Sequence, residues 1–274
     1  MKKLRKLIVL YGILLLLPCL LKSEIKFSFA LNGGYYFPSA RTFNSEIVTY
    51  YNDRLDFWRD VFDSAGAKTN LKELKEIEGN LFYGGEIDLE FYDRYILSFG
   101  IGKWKYEPAY ELKGVFETNN KADEFKFSGD FLISILPLNL TVKYIFPFRF
   151  FNCYAGAGAG YYVVKFSNSI LWEENVEGKN VYFSRSEMKA VKRKLVPHLD
   201  AGVEFPIPYL KSFSLCLDLK YILGNLKDFE VKKNTENPEQ IGKSLMYENK
   251  YGENKVFIFE LSGISLNIFV KYKF

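Results

Sequence analysis

Apolar and polar residues alternate at every second position in eight segments of the chain, a period typical of a β-strand with two different faces. In the segment 25–32, Ile25, Phe27, Phe29 and Leu31 alternate with polar or small residues. The other seven segments are 81–91, 95–106, 125–146, 151–166, 192–205, 213–223 and 256–274. The pattern therefore predicts an all-β fold with eight strands.

Two of the eight segments change phase along their length. In 125–146 the apolar residues move from odd to even positions at Leu136-Pro137, and the segment 256–274 shifts near Gly263. Proline cannot donate to a strand ladder, and one additional residue reverses the facing of all that follow. The sequence therefore predicts a β-bulge at Leu136-Pro137.

The connections between the segments alternate between short and long. Three are short, namely 92–95, 147–150 and 206–212, and four are long, namely about 38–79, 107–124, 167–190 and 225–255. Aromatic residues such as Tyr95, Phe148 and Phe274 crowd the short-turn end. Short turns at one end, long loops at the other and an aromatic girdle are typical of an up-and-down antiparallel transmembrane barrel with both termini in the periplasm. Ten strands remain an alternative if one long loop pairs as a hairpin.

The first long loop contains a helical pattern, which predicts a helical first extracellular loop. Its apolar residues recur at the spacing of one helix face: Ile47, Tyr51, Leu55, Trp58 and Phe62. Gly66 follows as a stop signal, and a second short helical stretch is predicted over 71–77. Two interpretations stay open: the helix caps the barrel mouth, or it lies on the outer leaflet or docks a partner.

The N-terminus has the pattern of a secretory signal peptide over residues 1–23, which leaves 24–274 as the barrel. Positive residues precede the apolar run Leu7–Leu21, and the small residue Ser23 follows it. The run is shorter than the about 20 residues that span a bilayer, so cleavage near Ser23 is favoured over a membrane anchor.

The charge of the chain comes from this signal. Removing its five cations, Lys2, Lys3, Arg5, Lys6 and Lys22, leaves 32 basic residues against 33 acidic ones. A nearly neutral exported chain gives no support to a nucleic-acid partner.

Two cysteines, Cys153 and Cys216, remain beyond the signal. They fall on the fifth and seventh predicted strands, and strands two apart lie about 10 Å from each other. This separation exceeds the Cα distance of a disulfide, so both are predicted to be free thiols.

Several segments resemble small outer-membrane barrels of the OmpW and OmpA/OmpX type. The resemblance lies in Ile135–Phe146 followed by Cys153–Tyr162, in Gly33–Pro38, and in His198–Glu204 followed by Leu217–Tyr221. The C-terminus resembles the signal that such proteins present to the barrel-insertion machinery, with the residues Ile268, Val270, Tyr272 and Phe274. The resemblance implies a monomer in the outer membrane of a Gram-negative-type cell, with periplasmic chaperones during biogenesis and with lipid or lipopolysaccharide around it. It implies no catalytic residue and no cofactor.

Strand parity places charges of both signs on the predicted lumen face. An eight-stranded barrel is only wide enough for its own side chains, and buried charges need partners. The sequence therefore predicts an ion-pair network that fills the barrel, built from Lys26, Glu86, Asp88, Glu90, Asp130, Lys143, Asp200, Glu204, Asp218, Lys220 and Lys271. A narrow polar conduit is the alternative.

Other chemistry is weakly marked. The glycine-rich stretch 156–160 lacks the Lys-Ser/Thr of a phosphate loop, and we expect it to make room for lumen side chains. The one histidine, His198, would need a neighbouring hydroxyl to serve a lipid-modifying enzyme. No Cys/His cluster indicates a metal site. The best functional prediction is a structural or interaction barrel, and the resemblance to OmpW-type barrels implies a narrow channel or a binding site for small apolar molecules. A soluble periplasmic lipocalin-like carrier is the main alternative.

Overall fold

The computed structural model describes residues 25–118, 121–249 and 251–274, and the predicted signal peptide lies outside them. Eight strands pair in a ring. They are β1 (Lys26–Pro38), β2 (Asn80–Phe91), β3 (Tyr95–Tyr106), β4 (Lys121–Pro147), β5 (Asn152–Val176), β6 (Lys179–Pro206), β7 (Phe213–Ile222) and β8 (Gly263–Lys273).

Each ring strand pairs antiparallel with its neighbours in sequence order. The ring closes between β1 and β8, which pair from Ser28 opposite Lys273 to Pro38 opposite Gly263. The predicted eight-stranded up-and-down barrel is therefore confirmed. A further strand, Ala109–Thr118, pairs with β4 beyond the point where β3 ends and does not enter the ring.

The ring carries an apolar belt on its outer surface. On seven of the eight ring strands large apolar side chains alternate with inward residues and remain about 40–65% exposed, for example Leu31, Ile87, Ile101, Leu138, Leu195, Leu217 and Ile268. On β5 the outward residues of the belt are mostly alanines. A soluble barrel would place its polar face outward, so this belt opposes the lipocalin-like alternative. Within the described residues, no helix is long and apolar enough to span a membrane.

The polarity of both strand faces inverts at the end of the belt, while the facing of the residues does not change. On β4 the odd residues point inward throughout, from the polar Thr141 and Lys143 to the apolar Ile133 and Phe131. The even, outward residues are apolar from Leu136 to Phe146 and mostly polar from Glu124 to Ser134. Along its length β4 thus passes from apolar surroundings outside the ring to an apolar core inside it.

The predicted bulge at Leu136-Pro137 is wrong for this reason. The register of β4 against β5 is the same on both sides of the proline, with Ile135 opposite Val164 and Leu138 opposite Tyr161. No additional residue is present. The change of phase in the sequence reflects the change of surroundings and not a change of facing.

Three ring strands continue far beyond the belt and form a wall with the neighbouring strands. Residues 167–190, predicted as a loop, are the far half of the β5–β6 hairpin, which turns between Val176 and Lys179. Residues 109–118, also predicted as loop, are a strand. These loop predictions are wrong because the inward apolar residues continue the alternation and pack into a core above the ring.

Shorter elements complete the long-loop end. Six further strands and a 3₁₀ turn lie there: Lys68–Lys72, Asn225–Lys227, Glu230–Asn234, Met246–Glu248, Asn254–Val256, Ile258–Glu260 and the turn Pro238–Gln240. The short helix predicted over 71–77 does not form. Residues 68–72 instead pair with Ala109–Thr118, and Leu74 and Ile77 are held by side chains of the preceding helix.

The predicted loop helix is present as α1 (Thr49–Ser64), preceded by a π-helical turn over Phe43–Val48. Ile47 and Leu55 are buried in the core above the ring, and Tyr51 and Phe62 pack against it. The Phe62 ring lies 3.9 Å from that of Phe125 on β4. These contacts place α1 over the barrel mouth, as the capping interpretation expects, with Trp58 38% exposed.

Both cysteines are free, as predicted. Cys153 on β5 and Cys216 on β7 are separated by β6, because each pairs with a different edge of that strand.

Candidate functional site

The lumen of the ring holds a chain of buried ion pairs. The Lys143 ammonium lies 2.5 Å from a Glu86 carboxylate oxygen, and both side chains are almost fully buried. Lys271 bridges Asp88 at 2.6 Å and Glu204 at 3.5 Å. These contacts join β2, β4, β6 and β8 across the interior.

Further polar contacts extend the chain. Lys273 reaches Glu204 at 2.5 Å, and Lys220 lies 3.5 Å from Asp200. The Tyr154 hydroxyl donates to Asp218 at 3.0 Å. The cavity left between these groups is about 10 Å³, which leaves room for at most one water molecule. The lumen is therefore filled by its own side chains.

Three residues of the predicted network lie outside it. Asp130 is exposed on the outer face of β4, so its predicted inward placement is wrong. A bulge at Leu136-Pro137 would have turned the even residues before it inward, but no bulge is present. Lys26 forms an exposed pair with Asp93 at the short-turn end. Glu90 is half-buried opposite Lys26, and no ion pair joins it to another described residue.

His198 does lie beside a hydroxyl. Its Nε2 atom is 2.8 Å from Thr141 Oγ1 and 3.9 Å from Asp200 Oδ1. The glycines of β5 make the room, because a Cβ at Gly158 would lie 2.7 Å from the histidine ring. The side chains of His198 and Asp200 are completely buried, so no substrate reaches this pair in the described structure.

A layer of large side chains separates the polar lumen from the space above it. We call this layer the septum, and its members are Tyr36, Trp104, Ile135, Tyr162, Val196 and Ile222, all at most 5% exposed. The Trp104 and Tyr36 rings meet edge-on at 5.8 Å. A cavity of about 20 Å³ beside them has room for one water molecule. The septum thus places buried side chains from six of the eight ring strands across the interior of the barrel.

Above the septum lies a cavity of about 490 Å³, here called the vestibule pocket. It is enclosed by α1, by the extended parts of β4, β5 and β6, and by Glu236, Leu245–Glu248 and Phe257. Its lining is largely aromatic and aliphatic and includes Leu55, Phe62, Leu112, Phe127, Phe131, Phe166, Ile170, Trp172, Met188, Leu245 and Phe257. Both the volume and the lining are typical of sites for small organic ligands.

A few polar groups reach this apolar space. The Asn168 amide donates to the Tyr51 hydroxyl at 3.3 Å, while Asn168 Oδ1 is buried without a hydrogen-bond partner among the described residues. Burial raises the pKa of Tyr51, so its hydroxyl stays neutral at physiological pH. At the mouth, Arg54 donates to the Tyr50 hydroxyl at 2.8 Å, with Glu236 nearby.

A second cavity of about 420 Å³ lies beside the vestibule pocket along the β5–β6 hairpin. The two share Phe127, Ile170, Trp172 and Glu236, and the second is the more open to solvent. Both cavities therefore lie at the long-loop end of the barrel.

All five residues named for the predicted loop helix line this pocket. The sequence pattern does not predict the other walls of the pocket. Asn168, Ile170 and Trp172 fall in a predicted loop. The signal was present, because Phe166, Asn168, Ile170 and Trp172 continue the even inward positions of β5. No three His, Cys, Asp or Glu side chains in the described part of the chain are grouped as metal ligands.

No protein-family model and no curated protein matches this chain. Among solved structures, it is similar to the outer membrane protein OprG from Pseudomonas aeruginosa, with 12% identity, a TM-score of 0.45, and coverage of 92% of this chain and 97% of that one. It is also similar to the N-terminal β-barrel domain of OprF from the same organism, at 10% identity and a TM-score of 0.36, with coverage of 92% and 100%. Neisserial surface protein A gives 10% identity, a TM-score of 0.37, and coverage of 92% and 99%.

Proposed function

We propose that this protein is an outer-membrane barrel that binds a small, largely apolar molecule in the vestibule pocket. The observation that carries the proposal is the 490 Å³ aromatic cavity covered by α1 and open towards the long-loop end. The ring below it acts as a support anchored in lipid, not as an open channel.

The apolar belt supports the membrane location. A closed ring satisfies its own backbone hydrogen bonds, which is the condition for a β-structure in hydrocarbon. On β4 the belt extends from Leu136 to Phe146, which agrees with the 9–11 residues that cross a membrane as a tilted strand. Export through a signal peptide over residues 1–23 is part of this proposal.

The filled lumen and the septum support binding in preference to conduction. An ion that crossed the barrel would have to break buried ion pairs such as Lys143–Glu86 and displace the Trp104–Tyr36 layer. Breaking one buried pair costs about 3–5 kcal/mol. A ligand in the vestibule pocket meets no such barrier.

The polar groups indicate the ligand's chemistry. Asn168 Oδ1 is an acceptor that lacks a donor, and a buried unpaired polar atom is costly. An aromatic or aliphatic body that carries one hydroxyl or amine would fill the cavity and donate to this oxygen.

Calorimetric titration with 1-naphthol tests the proposal, using the protein in nanodiscs and empty nanodiscs as the blank. Ile170→Trp places a large side chain in the cavity, and we expect at least about tenfold weaker binding because the volume is taken. Val181→Trp introduces the same residue at the exposed hairpin tip and should bind as the unmodified protein does. Equal affinities of all three proteins would reject the pocket.

Naphthalene separates the ligand's donor group from its apolar body. We expect Asn168→Leu to weaken 1-naphthol by about three- to tenfold, the value of one net hydrogen bond, and to leave naphthalene unchanged. Equal effects on the two probes would show that Asn168 does not form a hydrogen bond with the hydroxyl of 1-naphthol.

A further inference from the structure

We propose that the outer surface of β3–β6 binds a phosphate-bearing lipid headgroup at the edge of the apolar belt. The cations involved, here called the rim cluster, are Lys103, Lys105, Lys165 and Arg193, all exposed and all outward on their strands. The proposal depends on the membrane location argued above and not on the vestibule pocket.

The strand register brings these cations together. Lys105 lies opposite Ser134, and Ser134 lies opposite Lys165, so the two lysines flank one hydroxyl in a single row. Two strand spacings separate their Cα atoms by about 10 Å. Each lysine side chain is long enough to reach an anion placed over Ser134.

The remaining two cations lie on the side facing the belt. Lys103 precedes Lys105 by two residues, and Arg193, opposite Val163, is the diagonal neighbour of Lys165. Diagonal neighbours on adjacent strands are about 7–8 Å apart. The rim cluster is therefore compact enough to contact one headgroup from several sides.

Three of these cations have no ion-pair partner within the part of the chain that the structure describes. Lys105 pairs with Glu107 at 2.5 Å, but no such ion pair holds Lys103, Lys165 or Arg193 within the described residues. Elsewhere on the same wall, Lys189 and Lys233 pair with Glu187, and this pairing holds the pKa of Glu187 down at about 2. The charge of the rim cluster is by contrast available to an external anion.

The location of the rim cluster at the edge of the belt favours a lipid as the source of that anion. Directly below the rim cluster, the outward residues are the belt side chains Ile101, Leu138, Tyr161 and Leu195, 43–65% exposed. Acyl chains packed on this belt place their phosphates at the level of the cations, and each basic residue near a membrane surface adds attraction to anionic lipid.

The rim cluster occupies one side of the ring. At the same end of the other four ring strands, the outward residues are uncharged: Phe37, Leu81, Tyr221 and Ile264. A general requirement for charge at the membrane boundary would place cations all round the barrel. Their restriction to β3–β6 instead indicates one local site.

Native mass spectrometry tests the inference, with the protein in a neutral detergent and with equimolar phosphatidylglycerol and diacylglycerol added. We expect phosphatidylglycerol adducts at least about tenfold above diacylglycerol adducts. The triple variant Lys103→Gln, Lys165→Gln, Arg193→Gln should remove this preference.

A second triple variant provides the matched control, because Lys179→Gln, Lys211→Gln, Lys243→Gln removes the same charge from exposed sites elsewhere. Retained preference in this control, with loss in the first variant, supports the rim site. Equal loss in both, or no loss in the first, overturns it. Displacement of the lipid by millimolar inorganic phosphate would also overturn it, since the site would then bind the free anion.

Discussion

Lys143 is the residue on which the polar lumen depends most directly. It reaches Glu86 from β4, and its ammonium also lies 5.2 Å from the centre of the Tyr154 ring. Its removal leaves Glu86 buried without its partner, whereas removal of both charges leaves neither uncompensated.

We therefore expect Lys143→Met to lower the free energy of unfolding by about 3–5 kcal/mol, and Glu86→Gln combined with Lys143→Met to recover most of the loss. Urea unfolding from lipid vesicles, followed by tryptophan fluorescence, measures both. Glu90→Gln, at a position outside the network, should stay within about 0.5 kcal/mol of the unmodified protein. A loss in the double variant as large as in Lys143→Met would show that the pair itself is not the cause.

The glycines of β5 provide the space into which lumen side chains fit. A Cβ at Gly158 would lie 2.2 Å from the Leu140 carbonyl oxygen, a contact that requires the backbone to move. Gly33 on β1 has no atom within 4 Å of the same position.

Gly158→Ala is accordingly expected to destabilise the barrel by about 1–3 kcal/mol through overpacking, while Gly33→Ala should be neutral. The temperature at which the protein loses its folded mobility on a detergent gel reports the difference. Identical temperatures for the two variants would show that the backbone around Gly158 moves enough to accommodate a methyl group without loss of stability.

At the scale of elements, two asparagines of the loop helix region hold the following segment in place. Asn52 on α1 accepts from the Leu74 amide at 2.8 Å and donates to its carbonyl at 3.1 Å. Asn44 makes the same pair of bonds with Ile77. One carboxamide thus replaces the backbone partners that a helix or strand would supply.

We expect Asn52→Ala to speed amide hydrogen exchange in residues 73–79 at least about tenfold, because two hydrogen bonds of about 1 kcal/mol each are lost. Exchange followed by mass spectrometry measures this. Asp53→Ala, on the exposed side of the same helix, should leave the segment protected. Unchanged exchange in Asn52→Ala would show that burial of Leu74 suffices to hold it.

The elements also show where sequence reasoning succeeds and where it fails. Period-two alternation identifies all eight ring strands, since their successive side chains face lipid and lumen in turn. It does not identify 109–118 and 167–190 as strands, because small or polar inward residues such as Gly114 and Asn168 interrupt the apolar face there. The vestibule pocket was missed for the same reason, although Phe166–Trp172 retain the parity of β5.

For the whole molecule, closure of the ring has a direct experimental signature. All eight strands must separate before the barrel unfolds, since no ring strand has a free edge along the belt. We expect the protein in the outer-membrane fraction of expressing cells, with a gel mobility that changes only after boiling.

Truncation after Phe269 supplies the control for this measurement, since it removes part of β8 and the terminal residues Val270, Tyr272 and Phe274. The truncated chain should lose the boiling-dependent shift. A soluble periplasmic protein without any shift would contradict the membrane location and, with it, the rim site.

The inversion of polarity along β4 has a consequence for how deeply the barrel sits. The sequence position at which the apolar residues move between odd and even numbers marks the level where the hydrocarbon of the membrane ends. Leu136-Pro137 marks this level on β4, and the region of Gly263, with Phe259 and Leu261 inward above it and Ile264 outward below it, marks it on the C-terminal strand. Because these marks are fixed in the covalent chain, a thicker bilayer would have to thin around the protein and could not be accommodated by a vertical shift without exposing either the belt or the core of the cap.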